Sequence, residues 1–397
     1  MEAGHGSVRE VFGAFLKLGL TAFGGPVAHL GYFRDELVLR RRWLGEAAYA
    51  DLVALCQFLP GPASSQVGFA LGCLRGGGLR GGLAAWAAFT LPSVLLLLGF
   101  ALAASGLSGP VGLGIVHGLK LTAVAIVAAA VLGMARSLAP DGPRAAIAAG
   151  ALLAVALVPG FPGQLVALIG GAVAGLAIRS GERVSGEGVP ASAFPVSRRA
   201  GLVALATFGA LLVLASLASA GPQAVALAGA FYRAGALVFG CGHVVLPLLR
   251  VEVVDPGWVE PDAFLAGYAA AQAVPGPLFS FAAYLGAVAG PSPHGLAGAA
   301  IALVAIFLPG LLVVYGSLPF WSGALARPAV RAAMRGVNAA VVGLLAAALY
   351  DPVWTGAVGS VLDVAVAGAA FVGLVAWRAP PVLVVGAMVL AGALRGG

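Results

Sequence analysis

Apolar residues in this chain come in long unbroken blocks rather than in alternation. The blocks fall near 8–32, 46–75, 79–103, 111–135, 143–158 and 163–179, and then near 200–219, 224–249, 262–289, 295–318, 329–350, 353–377 and 380–394. Most run about 15 to 27 residues, the length a helix needs to cross roughly 30 Å of hydrocarbon. Nothing alternates with period two, so a membrane β-barrel is not expected. The pattern predicts an all-α polytopic membrane protein. One long stretch, 180–199, breaks the rhythm; with Glu182, Arg183, Glu187, Pro190, Pro195, Arg198 and Arg199 it is too polar to enter lipid and reads as a linker.

Composition sharpens this reading. Of 397 residues, 61% are hydrophobic and 9% charged, and the mean hydropathy is +1.02. A soluble globule carries roughly 25% charged residues, so the medium this chain meets is the lipid bilayer. The formal charge of +7 comes from short interhelical runs such as Arg40-Arg41-Arg42 and Arg198-Arg199. That is the bias of cytoplasmic loops, not a nucleic-acid footprint. Cys56, Cys73 and Cys241 lie in apolar stretches and read as packing residues, neither a disulfide framework nor a metal site. No cofactor or metal is expected. The N-terminus lacks a small-residue cleavage site after a short apolar core, which argues against a removable signal peptide.

The blocks belong to a duplicated unit. Trp43, Gln57 and Pro60-Gly61-Pro62 recur at the same spacing as Trp258, Gln272 and Pro275-Gly276-Pro277. Phe15, Lys17, Gly19, Phe23 and Gly24 map onto Phe231, Arg233, Gly235, Phe239 and Gly240; Leu91-Pro92 maps onto Leu308-Pro309, and Gly118 onto Gly336. The offset stays at 214 to 218 residues, as for one duplicated ancestor. The division is 1–179 for the first repeat, 180–222 for the linker with a connector helix, and 223–397 for the second repeat. The loop around Arg34 to Arg42 is basic and its partner around Arg250 to Asp262 acidic, and the loop with Arg327, Arg331 and Arg335 is basic where 104–110 is uncharged. Both contrasts favour inverted repeats. If both Pro-Gly-Pro segments are re-entrant, inversion requires the connector near 200–219 to lie on the surface or one assigned span not to cross.

Broken apolar segments at matching places in two halves point to a transporter's binding site. In the first copy a helix should end near Leu59 and another begin at Pro62 or Ala63, because Pro60 and Pro62 remove donors and Gly61 relaxes the backbone. A helix start offers free N–H groups and a partial positive charge, which suits an oxyanion. Ser64, Ser65 and Gln66 would add donors, Gln57 would reach the break from the preceding helix, and Gln272 does so in the second copy. Gly24, Gly25 and Pro26, echoed by Gly240 and Gly242, form a second break that permits either a kink or close helix approach. His29 and His243 follow these breaks, as polar packing residues or proton carriers. The two lysines, Lys17 and Lys120, both lie inside apolar blocks. Lys17 maps onto Arg233, so each half places a cation six residues before Phe-Gly, as an anion-binding group or as a snorkelling side chain. His117-Gly118 before Lys120 corresponds to Arg335-Gly336 and ranks behind. Glu36 and Glu252 are read as loop partners of Arg34 and Arg250, or as proton-coupling groups.

Phe23-Gly24-Gly25-Pro26 with His29, Trp43-Leu44 with Glu46, Gln57 with Pro60-Gly61-Pro62, and Leu91-Pro92-Ser93 resemble the first half of the chromate ion transporter family. The second half resembles that family's other unit, and the similarity covers most of both halves, as in the long two-domain form. Gly240-Cys241-Gly242 departs from the glycine run common there. The resemblance implies export of chromate across the bacterial inner membrane, hence chromate resistance, with sulfate as a competing analogue. The residues themselves point to a duplicated helical carrier with cationic, broken-helix sites; the tetrahedral dianion, whose charge Lys17, Arg233 and, behind them, Lys120 would offset, is what the resemblance implies. No nucleotide-binding motif is present, so uphill transport would draw on an ion gradient. A sulfate or other oxyanion carrier of either direction is the alternative. An intramembrane hydrolase built on Ser64 or Ser65 lacks a Gly-x-Ser-x-Gly elbow, so the chain is not read as an enzyme. Glycine faces such as Gly76-Gly77-Gly78 and Gly170-Gly171 would serve a homodimer or packing within the chain.

Overall fold

The structure, a computed structural model, describes residues 6–104, 109–158, 160–178, 194–218, 221–239, 242–320 and 328–396. All regular structure among them is helical. The first half contains α1 (Val8–Thr21), α2 (Gly25–Phe33) with a π-helical continuation (Arg34–Arg40), α3 (Glu46–Phe58), α4 (Ala63–Arg75), α5 (Leu79–Ala104), α6 (Gly109–Leu138), α7 (Gly142–Leu157) and α8 (Phe161–Ile178). A connector helix, α9 (Arg198–Leu217), leads to the second half. There α10 (Gln223–Ala236) precedes α11 (Val245–Leu249), which is entered through a 3-10 turn at Gly242–Val244 and continued by a π-helical turn at Arg250–Val254. Next come α12 (Pro261–Ala273) and α13 (Phe281–Val288), the latter entered through a 3-10 turn at Leu278–Ser280. The half ends with α14 (Gly295–Ser317), α15 (Pro328–Ala348), α16 (Val361–Val375) and α17 (Pro381–Gly396). Among the described residues α5, α6, α9, α14 and α15 are long and apolar enough to cross a membrane.

The block near 8–32 is not a span. Gly24 and Gly25 take φ of +95° and +78°, values a right-handed helix cannot contain, and the chain turns back between α1 and α2. Phe15 meets Phe33 with ring centroids 5.5 Å apart, and Lys17 reaches Glu36 at 2.8 Å. In one continuous helix residues 17 and 36 would stand about 28 Å apart. Of the two options the sequence left at this break, a kink or close approach, the structure takes neither alone: it reverses. Arg233 likewise reaches Glu252, so the second half repeats the reversal; Gly240 itself lies outside the described residues. The Pro-Gly-Pro segments also fold back, α3 packing on α4 and the Tyr284 hydroxyl of α13 donating to the Ala263 carbonyl of α12 at 3.0 Å. Each half therefore carries two hairpins.

The hairpin tips interlock across the halves. Gly61 N–H donates to the Val238 carbonyl at 2.7 Å, and the equivalent Gly276 N–H donates to the Ala22 carbonyl at 3.0 Å. Gly61 has φ +120°, and a Cβ on it would lie 2.7 Å from the Gly310 Cα, so two backbones meet where no side chain fits. The halves are exchanged a second time at their ends. α6 packs on α17 while α15 packs on α8; a Cβ on Gly118 would run into the Met388 carbonyl, and one on Gly336 into the Gly171 carbonyl. Small residues allow this close approach of apolar helices, where no solvent-driven force separates helix from lipid. The glycine faces at Gly171 and Gly76, the latter against Gly81, are thus used within the chain. α9 runs along α14, with Gly201 against Gly316 at one end and Leu211 and Leu214 sharing a cleft with Ala300, Ile301 and Val304 at the other.

Candidate functional site

The first Pro-Gly-Pro tip has the predicted form. α3 ends at Phe58 with Leu59 as cap, Pro62 is extended, and α4 begins at Ala63. The first α4 hydrogen bond to the break runs from Gln66 N–H to the Pro62 carbonyl at 2.9 Å, which leaves the N–H groups of Ala63, Ser64 and Ser65 at the open end of the helix. Ser64, Ser65 and Gln66 are all buried. The Gln66 amide donates to the carbonyls of Pro60 at 2.8 Å and Gly310 at 3.0 Å, tying the tip to α14. Buried His29 sits with Nδ1 3.5 Å from Ser64 Oγ and its ring edge-on to Phe89 at 5.3 Å. Ser65 Oγ, Gln66 Oε1 and His29 Nε2 are buried without a hydrogen-bond partner, a condition that few polar atoms of a native interior share. Gln57 is exposed on α3, one residue short of the helix end.

The second tip is built differently. Its helix is entered through the 3-10 turn, where Ser280 N–H is already bonded to the Pro277 carbonyl at 3.0 Å. Ser280 Oγ meets Ser93 Oγ of α5 at 2.6 Å. Gln272 donates to His243 Nδ1 at 3.2 Å, and the same ring lies 2.8 Å from the Tyr268 hydroxyl. His243 and Gln272, singled out separately from the sequence, are therefore one hydrogen-bonded group.

The recurring cations of the apolar blocks are already paired. Lys17 holds Glu36, which also accepts from Arg40 at 3.1 Å and Arg41 at 2.9 Å. Arg233 holds Glu252 with both ends of its guanidinium and donates as well to the Ala215 carbonyl of α9. The reading of Glu36 and Glu252 as loop partners of Arg34 and Arg250 is corrected: Arg34 pairs with Glu46, Arg250 faces Asp255 and Asp351, and both glutamates are buried. The hairpin reversal explains this, since it folds each glutamate back onto the preceding helix.

Lys120 is placed away from the tips. It binds Asp262 at 2.7 Å, at the start of α12, and ten residues of helix put Gln272 about 15 Å from that point. The sequence reading passed over Asp363, which is buried and joins three helices. It accepts from Arg395 at 3.0 Å and lies 2.9 Å from His117 Nε2. The signal was present as Ser360-x-x-Asp363 inside an apolar block, a capping pattern: Ser360 Oγ accepts from Asp363 N–H, and Asp363 accepts from Gly359 N–H.

The family described as chromate transporter matches this chain twice, over residues 9–176 and 225–393. A chromate transport protein of Pseudomonas aeruginosa is 31% identical over 360 residues, covering 87% of this chain and 81% of that protein. A probable chromate transport protein of Synechococcus elongatus is 30% identical over 355 residues, covering 86% of this chain and 84% of its own length. A chromate transport protein of Cupriavidus metallidurans is 27% identical over 352 residues, covering 86% and 82%. No solved structure matches the chain.

Proposed function

The chain belongs to the chromate transporter family, and from that premise we propose that it carries chromate out of the bacterial cytoplasm across the inner membrane and so confers resistance to it. The observation that carries the site is the first tip. It presents a helix start with free N–H groups and a buried, unpartnered Ser65 hydroxyl where two halves interlock, and a tetrahedral oxyanion needs such preorganised donors. Ser64 Oγ, 3.5 Å from His29 Nδ1, holds the ring beside the tip.

Charge is offset at a distance. Direct contact of Lys17 or Arg233 with the anion would require displacing a carboxylate, so their roles divide. Lys17, Arg40 and Arg41 surround the single carboxylate of Glu36, leaving a net positive cluster that draws anions toward the first half. Outward movement of a dianion is favoured by an inside-negative potential by about 2.3 kcal/mol per charge per 100 mV, so the potential works in the direction of export.

The halves are best read as inverted repeats. With both hairpins of the first half returning to their starting side, and α5 to α8 entering as pairs, the single passage of α9 leaves the second half facing the other way. The span that needed not to cross is the block near 8–32, so α9 need not lie on the surface. The Lys120–Asp262 contact agrees, because it sets the base of a second-half hairpin against the N-terminal part of α6, far from where α5 began.

Uptake of labelled chromate by inverted membrane vesicles tests the function. Uptake that collapses with the gradient and is reduced by sulfate is expected. Vesicles that take up no chromate, while right-side-out vesicles accumulate sulfate, would make the protein an importer of another oxyanion.

A further inference from the structure

We propose that each chain binds one oxyanion, at the first tip only, and that the equivalent position in the second half has been closed by its own side chains; this rests on the site reading given above. Duplication supplies two equivalent tips, and the backbone hydrogen bonds of Gly61 and Gly276 show that both survive as backbone. Their side chains have diverged. Under the same offset Ser64 corresponds to Phe279 and Gln66 to Phe281, while Ser65 corresponds to Ser280. Phe279 packs on Phe307 at 5.6 Å, and Phe281 lies 5.4 Å from Phe264 and 5.9 Å from Tyr268. Aromatic bulk thus stands where the first tip has polar side chains.

The polar side chains left at the second tip are engaged within the protein. Ser280 is held by Ser93, and Gln272 by His243, whose ring also meets Tyr268. The 3-10 entry consumes one of the N–H groups that an α-helix start would leave open. In the first tip, by contrast, Ser65 Oγ remains buried and unpartnered. Leaving buried polar groups unsatisfied costs about 1 to 3 kcal/mol each, a cost that a bound ligand removes. The two tips therefore divide the work: one binds, and the other keeps the cross-half backbone contact that holds the binding tip in place.

Equilibrium binding of labelled sulfate, and of chromate, to the purified full-length chain in detergent measures this directly. One anion per chain is expected. Ser65→Ala should weaken binding at least about tenfold, the value of a hydrogen bond to a charged group, while Ser280→Ala changes it less than about twofold; thermal unfolding of both variants checks that each is folded. Two anions per chain, or equal weakening by both substitutions, overturns the single-site assignment while leaving gradient-driven chromate uptake by vesicles intact. No binding of either anion defeats both this assignment and the site from which it starts.

Discussion

Lys17 and Arg233 hold equivalent positions and equivalent carboxylates, but their surroundings differ. The Lys17 side chain is 48% exposed, and two further arginines share its Glu36. Arg233 is 12% exposed, holds Glu252 with both ends of its guanidinium, and is capped by the Ala215 carbonyl of α9. The difference comes from the connector, which lies against α10 and, among the described residues, has no counterpart against α1. A duplicated ion pair has become a buried clasp on one side and an open cationic cluster on the other. The hairpin reversal makes the pair in both halves, and the neighbour decided what the pair is for.

Breaking the clasp should have the largest effect. Arg233→Met leaves Glu252 buried without its partner and is expected to cost about 3 to 5 kcal/mol, read as a large fall in the unfolding temperature of the detergent-solubilised protein. The contact with α9 can be disturbed more gently through Gly229, where a Cβ would lie 2.7 Å from the Ala218 Cβ and 3.0 Å from the Ala215 carbonyl. Gly229→Ala should lose about 1 to 3 kcal/mol by overpacking, partly offset by about 1 kcal/mol of helix propensity. The same unfolding measurement should give a net loss.

The open side should respond weakly. Lys17→Met is expected to change stability by less than about 1 kcal/mol, because Glu36 keeps two arginines and the pair is solvent-screened. Its effect should fall instead on anion capture: the initial rate of chromate uptake drops and becomes less sensitive to added salt. Gly13 corresponds to Gly229, yet a Cβ there meets nothing within 4 Å. Gly13→Ala should therefore stabilise α1 by roughly 0.5 to 1 kcal/mol, opposite in sign to the change at Gly229. Equal signs at the two glycines would remove the connector from the explanation.

Much of the candidate site is legible in the sequence. The end of α3 near Leu59 and the start of α4 at Ala63 follow from the chemistry of Pro60, Gly61 and Pro62, which acts over a few residues. The reversal at Gly24 did not follow, because two glycines permit a kink, a close approach or a turn at similar cost. Nor did the partners of Lys17 and Arg233, since the reversal creates them. Lys120 was ranked by its apolar neighbours along the chain, but its partner Asp262 comes from the other half. Asp363 went unseen because one carboxylate in an apolar block reads as an interruption until His117 and Arg395 are brought beside it.

The sequence by itself determined that this is a helical membrane protein, that it is duplicated, where its helices break, and which cations recur. These depend on composition and short-range backbone chemistry, which each stretch of chain carries with it. Tertiary structure alone decided that the halves interlock through Gly61–Val238 and Gly276–Ala22, and that α6 and α15 exchange partners with α17 and α8. It also decided that one tip keeps open donors while the other satisfies its own. The interlock and the exchange depend on contacts between residues about 165 to 270 positions apart, where the pairing is set by which backbones can approach and which polar atoms find a partner.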